Sequence, residues 1–95
     1  KDKTMQMLTK QNKKYMGKKV IKFFVPWSNG SYYVTEGEQE SNGDWLFFGF
    51  VVGMEREWGS FRLSELTSVT GPMGLKIERD RWFDTPVTEF STDNV

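Results

Sequence analysis

Residues 45–54 (WLFFGFVVGM) constrain the fold most, because they are apolar continuously instead of at alternate positions. A short run of this kind is typical of a strand that is covered on both faces. The run is also far shorter than the roughly 20 apolar residues that cross a bilayer as a helix. It therefore predicts a central strand in a globular chain, and the 95 residues have room for a single domain, 1–95.

Further strands are predicted on both sides of this run. Residues 20–27 alternate between the two sides of a strand, and Asn29-Gly30 is a strong signal for the tight turn that returns through residues 32–36. After the run, residues 58–63 and 75–82 have the pattern of extended segments. The predicted core of this sheet consists of Phe23, Val25, Phe48, Phe50, Val52, Phe61 and Leu63.

Two short helices complete the prediction. Thr9 is a suitable N-cap for a helix over residues 10–16, and Ser64 for a brief helix that ends at Val69. The expected fold is α+β: a twisted antiparallel sheet of four to five strands, a short N-terminal helix and a second short helix near the C-terminus. Residues 1–7 and 85–95 contain few apolar side chains and are expected to be poorly ordered.

The chain contains neither cysteine nor histidine, which excludes several kinds of site. Disulfides, thiolate–zinc centres, cysteine nucleophiles and histidine bases all need one of these residues. The remaining acidic pairs, Glu55 with Glu57 and Glu78 with Asp80, alternate with arginines, a pattern that favours cross-strand ion pairs over hydrolysis or metal binding. We therefore expect no enzyme activity, no cofactor and no metal. The lack of cysteine and of an export signal favours a cytoplasmic protein.

Charge is distributed unevenly along a chain whose net charge is zero. Residues 1–22 contain eight lysines and one aspartate, whereas the rest contains five basic and twelve acidic residues. The basic segment suggests contact with an anionic partner, and the acidic body suggests contact with a cationic one. A second interpretation is that the lysines form a solvated face that neutralises the acidic sheet.

Two short motifs resemble nucleic-acid-binding signatures without matching them. Residues 48–51 (FGFV) share part of the RNA-recognition signature, but Leu46 stands at its basic position and Gly53 at its last aromatic position. Residues 71–74 (GPMG) have the spacing of a backbone clamp for nucleotides, but Pro72 and Met73 favour a rigid apolar turn. Both segments are interpreted as structural.

Several collinear blocks resemble an uncharacterised family of small phage, plasmid and bacterial proteins, which is known only as a domain of unknown function. The blocks are LTK (8–10), KFFVP (22–26), FFGFVVG (47–53), GSFRLSEL (59–66) and GLKIERD (74–80). The resemblance implies mobile-element cargo in the cytoplasm of a bacterial host and provides no reaction to transfer. It also suggests binding to host machinery such as a defence nuclease, as anti-CRISPR proteins bind, by analogy alone.

Two functions remain open. The first is a non-catalytic protein-binding module, an inhibitor that presents an acidic and aromatic surface to a basic partner, with a flexible loop at residues 37–44 beside Trp45 as its centre. Reversing Glu38, Glu40 and Asp44 is expected to leave stability nearly unchanged. The alternative is a nucleic-acid-binding accessory protein that uses its lysines, and no membrane contact is expected. The candidate partner-binding residues are Glu36, Glu38, Glu40, Asp44, Trp45, Glu55, Glu57 and Trp58.

Overall fold

The computed structural model of the protein describes residues 18–95, which form one five-stranded antiparallel sheet. The strand order is β4-β3-β2-β1-β5. A short helix and three 3₁₀ turns follow the first four strands. The elements are β1 (Ile21–Phe24), β2 (Ser31–Gln39), β3 (Trp45–Val52), β4 (Arg56–Arg62), α1 (Leu63–Thr67), β5 (Glu78–Arg79) and the 3₁₀ turns Pro72–Gly74, Val87–Glu89 and Thr92–Asn94.

The prediction of a four- to five-stranded antiparallel sheet is confirmed, with the apolar run as an interior strand between β2 and β4. The predicted second helix is present as α1, although it begins at Leu63. The predicted helix at residues 10–16 and the predicted poor order of residues 1–7 lie outside the described residues. Within residues 18–95 the fold is mostly β.

The strand boundaries follow from local turn chemistry. Pro26 has no N–H to donate to a ladder, and β1 ends before it at Phe24. Val25 N then donates to Gly30 O at 2.9 Å, which closes the turn into β2. The second strand extends to Gln39, three residues beyond its predicted end at residue 36. This extension places three of the eight residues of the predicted acidic loop, residues 37–39, in regular sheet.

The larger hydrophobic cluster lies on one face of the sheet, which we call the first face. Phe47 is at its centre, with ring centroids 6.0 Å from Phe23 and 5.8 Å from Phe61. Helix α1 packs on this face through Leu63 and Leu66. The buried members of the cluster are Ile21, Phe23, Val34, Trp45, Phe47, Phe61, Leu63, Leu66 and Ile77.

The second face is covered at its middle by the C-terminal segment. Its smaller buried cluster consists of Val20, Tyr33 and Phe50, against which Phe83, Val87, Phe90 and Val95 pack. The segment is tied to the sheet because Val20 N donates to Thr85 O at 2.9 Å and Val87 N to Lys18 O at 2.9 Å. Residues 85–95, for which the sequence predicts poor order, therefore lie against the sheet and form the cover of the second face.

The predicted core needs one correction. Phe23, Phe50, Phe61 and Leu63 are buried as expected, and Val25 and Val52 are partly buried, but Phe48 is 41% exposed. Phe48 shares the second face with Phe50, and no cover packs over it there among the described residues. Burial along β3 therefore depends on how far the C-terminal segment reaches, which a continuous apolar run does not reveal.

We predict that Phe47→Ala lowers the free energy of unfolding by about 3–5 kcal/mol, because it opens a cavity in the first-face core. Its neighbour provides the matched control: Phe48→Ala removes the same atoms from an exposed position and should lower it by less than about 1.5 kcal/mol. Urea titrations followed by far-UV circular dichroism measure both changes. Equal losses would contradict the assignment of Phe47 to the core and Phe48 to the surface.

Candidate functional site

A bulge in β2 determines where its acidic side chains point. The register of β2 against β3 shifts between Val34 and Glu36, so that Thr35 is the extra residue. The Thr35 hydroxyl donates to Phe48 O at 3.3 Å. Without the bulge Glu36 would share the first face with Val34, since side chains alternate along a strand. With it, Glu36 and Glu38 both lie on the second face.

A stacked pair of aromatic rings, Phe48 and Trp58, lies beside these carboxylates on the same face. Phe48 lies opposite Glu36 in the sheet, and the Phe48 and Trp58 rings stack with centroids 5.6 Å apart and planes inclined by 11°. Trp58 is 46% exposed although it also contacts Phe50 and Phe90. We call this surface the acidic–aromatic patch, and it consists of Glu36, Glu38, Leu46, Phe48, Trp58 and Ser60.

A shallow groove of about 230 Å³ lies beside Glu36, Glu38 and the Phe48 ring of the acidic–aromatic patch. Glu36 and Glu38 are exposed and, within residues 18–95, neither carboxylate has an ion-pair partner. At the border of the patch Arg62 donates two hydrogen bonds to Glu40, at 2.8 and 3.3 Å. The hydrogen bond and the charge of the Glu40 carboxylate raise the pKa of Arg62. The opposite charges of this ion pair cancel, so the charge of the patch is that of Glu36 and Glu38.

The predicted flexible loop at residues 37–44 consists of the end of β2, residues 37–39, and a tight turn at residues 40–44, and its acids are not all solvated. Glu40 N donates to Asp44 O at 2.8 Å, and Gly43 adopts a φ of 89° within the turn. The Asp44 carboxylate accepts hydrogen bonds from Ser64 Oγ at 2.6 Å and from Ser64 N at 3.1 Å. Asp44 therefore secures the start of α1, and reversing it with Glu40 removes structural bonds, contrary to expectation.

Trp45 does not provide the surface anchor that its position beside the loop suggested. It is only 7% exposed, and its ring stacks on Phe47 with centroids 6.2 Å apart. Trp45 belongs to the first-face core because it is an even number of residues from Phe47 along β3. Phe48, which the sequence placed in the core, lies in the exposed position instead.

Glu55 and Glu57 lie away from the acidic–aromatic patch. Glu55 is in the turn between β3 and β4, where Gly53 N donates to Glu55 O at 2.9 Å, at the opposite end of β3 from residues 40–44. Glu57 lies opposite Val51 in the strand register and is on the first face of the sheet. Of the predicted residues, the structure brings together Glu36, Glu38 and Trp58 on the second face. Phe48 joins them because side chains alternate along β3 and Phe47 points to the first face.

A second exposed aromatic surface lies at the β1–β5 edge of the sheet. Trp82 is 94% exposed there, and its backbone N–H donates to Asp80 Oδ1 at 3.0 Å. Lys22 pairs with Asp80 at 3.7 Å. Partial burial lowers the pKa of Arg79, and the charge of Arg81 lowers it further. We call this surface the Trp82 groove, lined by Lys22, Phe24, Glu78, Arg79, Asp80, Arg81 and Trp82.

The other motifs have structural roles. Residues 48–51 belong to β3, and the turn Pro72–Gly74 lies beside Trp27, whose ring leaves no space for a side chain at Gly71. Among residues 18–95, no group of three or more acidic side chains is arranged to hold a metal ion. No helix in this part of the chain has the length and apolar character needed to cross a membrane.

Comparison with known proteins identifies a family. A family model described as "Protein of unknown function (DUF2958)" matches residues 2–92, which is nearly the whole chain. Neither a curated protein nor a solved structure matches the chain.

We predict that Asp44→Ala lowers the free energy of unfolding by about 1 kcal/mol at neutral pH, because Ser64 and Trp45 lose an acceptor. Partial burial raises the pKa of Asp44, but the hydrogen bonds from Ser64 and Trp45 lower it more, so the net pKa is below its usual value. The contribution is therefore complete above about pH 4 and is lost as the pH falls through the lowered pKa.

Urea titrations of the parent and of Asp44→Ala from neutral pH to about pH 2.5 measure this dependence. Glu55→Ala, which removes an exposed carboxylate from the opposite end of β3, should change stability by less than about 0.5 kcal/mol. A difference between parent and Asp44→Ala that stays constant over this pH range would contradict the proposed role of the Asp44 charge.

Proposed function

The chain belongs to the DUF2958 family, a family of unknown function, and we propose that it is a non-catalytic protein-binding module. Its binding surface is the acidic–aromatic patch. The partner that this surface suits is a protein with a basic surface that contains an apolar recess.

One observation carries this proposal: two stacked aromatic rings lie exposed beside two carboxylates. Phe48 and Trp58 keep 41% and 46% of their surfaces in water, although the same sheet buries other aromatic side chains almost completely. Large exposed aromatic side chains are the usual anchors of protein interfaces. Neighbouring carboxylates increase the association rate with a cationic surface and favour one orientation of it.

The rigidity of the acidic–aromatic patch supports the same function. Glu36 and Glu38 are on β2, Phe48 is on β3 and Trp58 is on β4, so paired strands hold the whole patch. A surface held by a sheet loses little conformational entropy when it binds. It therefore suits recognition better than the flexible acidic loop that the sequence suggested.

A narrower proposal concerns the identity of the partner. A nuclease holds nucleic acid on a basic surface, and two fixed carboxylates beside an aromatic anchor are complementary to such a surface. The resemblance to phage and plasmid proteins supports a mobile-element origin and, by analogy with anti-CRISPR proteins, inhibition of a host defence nuclease in the bacterial cytoplasm.

The test is affinity capture from a bacterial lysate with three immobilised proteins at matched amounts. We predict that the parent captures a specific basic protein and that Glu36→Lys/Glu38→Lys captures less than about a tenth as much, because each reversal replaces attraction with repulsion. The control is Glu55→Lys/Glu57→Lys, which makes the same change in charge away from the acidic–aromatic patch and should capture as much as the parent.

Equal capture by the parent and the Glu36/Glu38 variant would contradict the proposed surface. A titration with random single-stranded DNA tests the alternative, in which the chain binds nucleic acid through its lysines. Binding at physiological salt that weakens steeply as salt rises would indicate contact between lysines and phosphates, and would favour the alternative. Of the lysines in residues 18–22, Lys19 is paired with Asp84 and Lys22 with Asp80.

A further inference from the structure

The two exposed aromatic surfaces of this molecule have complementary charge. The acidic–aromatic patch carries the carboxylates of Glu36 and Glu38 beside its two rings. The Trp82 groove carries three cationic and two anionic side chains, of which Lys22 and Asp80 form an ion pair. Arg81 is exposed beside Trp82 in this groove, so the groove presents a guanidinium next to an aromatic anchor.

The aromatic part of the patch and the Trp82 groove lie on different strands. Phe48 is on β3 and Trp58 on β4, whereas the groove lies at β1 and β5. In the strand order, β3 and β4 are three and four positions from β5, or about 14 and 19 Å at about 4.8 Å per strand. Among residues 18–95, the ring contacts of Phe48 and Trp58 do not include Trp82, so Trp82 is available to meet these rings on another molecule.

We propose that copies of this chain associate head to tail, with Trp82 and Arg81 of one copy on the acidic–aromatic patch of the next. Trp82 packs against the stacked rings of Phe48 and Trp58, and Arg81 pairs with Glu38. Such a contact joins two different surfaces, so further copies can add until the assembly closes into a ring or continues as an open chain. The proposal rests on the proposed function only in taking the patch as a binding surface.

The charges of the chain favour a second copy as the occupant. A polyanion such as nucleic acid would meet the carboxylates of Glu78 and Asp80 in the Trp82 groove. A second copy instead supplies both partners that the two surfaces need: carboxylates for Arg81 and aromatic rings for Trp82. The formal net charge of the chain is zero, so copies do not repel one another through their overall charge.

Sedimentation equilibrium of the parent from about 10 µM to about 1 mM, in about 50 mM NaCl, tests the association. We expect the average mass to rise with concentration, and the rise to diminish at high salt because Arg81 and Glu38 are exposed. A parent that remains monomeric at the highest concentration would overturn the inference.

Charge reversal tests the contact itself. Arg81→Glu places a carboxylate against Glu38, and Glu38→Arg places a guanidinium against Arg81, so each variant alone should associate at least about tenfold more weakly than the parent. In an equimolar mixture every contact again joins opposite charges. The mixture should therefore recover association to within about threefold of the parent value.

Lys18→Glu and Glu55→Arg are the matched controls, since both reverse exposed charges outside the two surfaces. They should associate as the parent does, and thermal melts check that all variants are folded. Failure of the mixture to recover, or parental association by either reversed variant alone, would overturn the head-to-tail contact. Partner capture by Arg81→Glu separates the two proposals, because this variant keeps the acidic–aromatic patch intact and should capture as the parent does.

Discussion

The pairing of β2 with β3 is the constraint on which the rest of the structure depends. The ladder runs from Ser31 opposite Val52 to Gln39 opposite Trp45, and it is interrupted by the bulge at Thr35. A Cβ atom on Gly49 would overlap the Tyr33 backbone, so the two strands approach closely beside the bulge. The bulge decides which side chains of β2 enter the core and which remain in solvent, because it reverses the alternation of the strand.

The C-terminal segment makes the two faces of this sheet unequal. Helix α1 and the large cluster bury most of the first face, whereas the second face is covered at its middle only, where Phe83 and Phe90 contact Tyr33 at centroid distances of 5.5 Å. Aromatic surface therefore remains in water at both ends of that face. Exposed aromatic area contributes little to the stability of the folded chain, which is why we propose recognition as its role.

Much of the sheet could be predicted from residues close together in sequence. The first hairpin lies where Asn29-Gly30 predicted it, but its tight turn is at residues 25–28, where Ser28 N donates to Val25 O, and neither Asn29 nor Gly30 has the positive φ of the predicted turn. The apolar run correctly located an interior strand. The candidate site was less predictable. Phe48 and Trp45 exchanged their expected roles, because a continuously apolar strand does not indicate which face has the deeper cover. The prediction of a solvated loop was wrong at Asp44, because Asp44 accepts hydrogen bonds from Ser64, which is 20 positions away in the sequence.

The sequence by itself determined the features whose cause is local: the segments that form the first four strands and the absence of thiol and imidazole chemistry. Only the tertiary structure decided which acids and aromatic side chains share a surface. That choice depends on the Thr35 bulge and on the reach of the C-terminal segment over the second face. Both depend on packing between parts of the chain that are distant in sequence, and local residue patterns do not predict such packing.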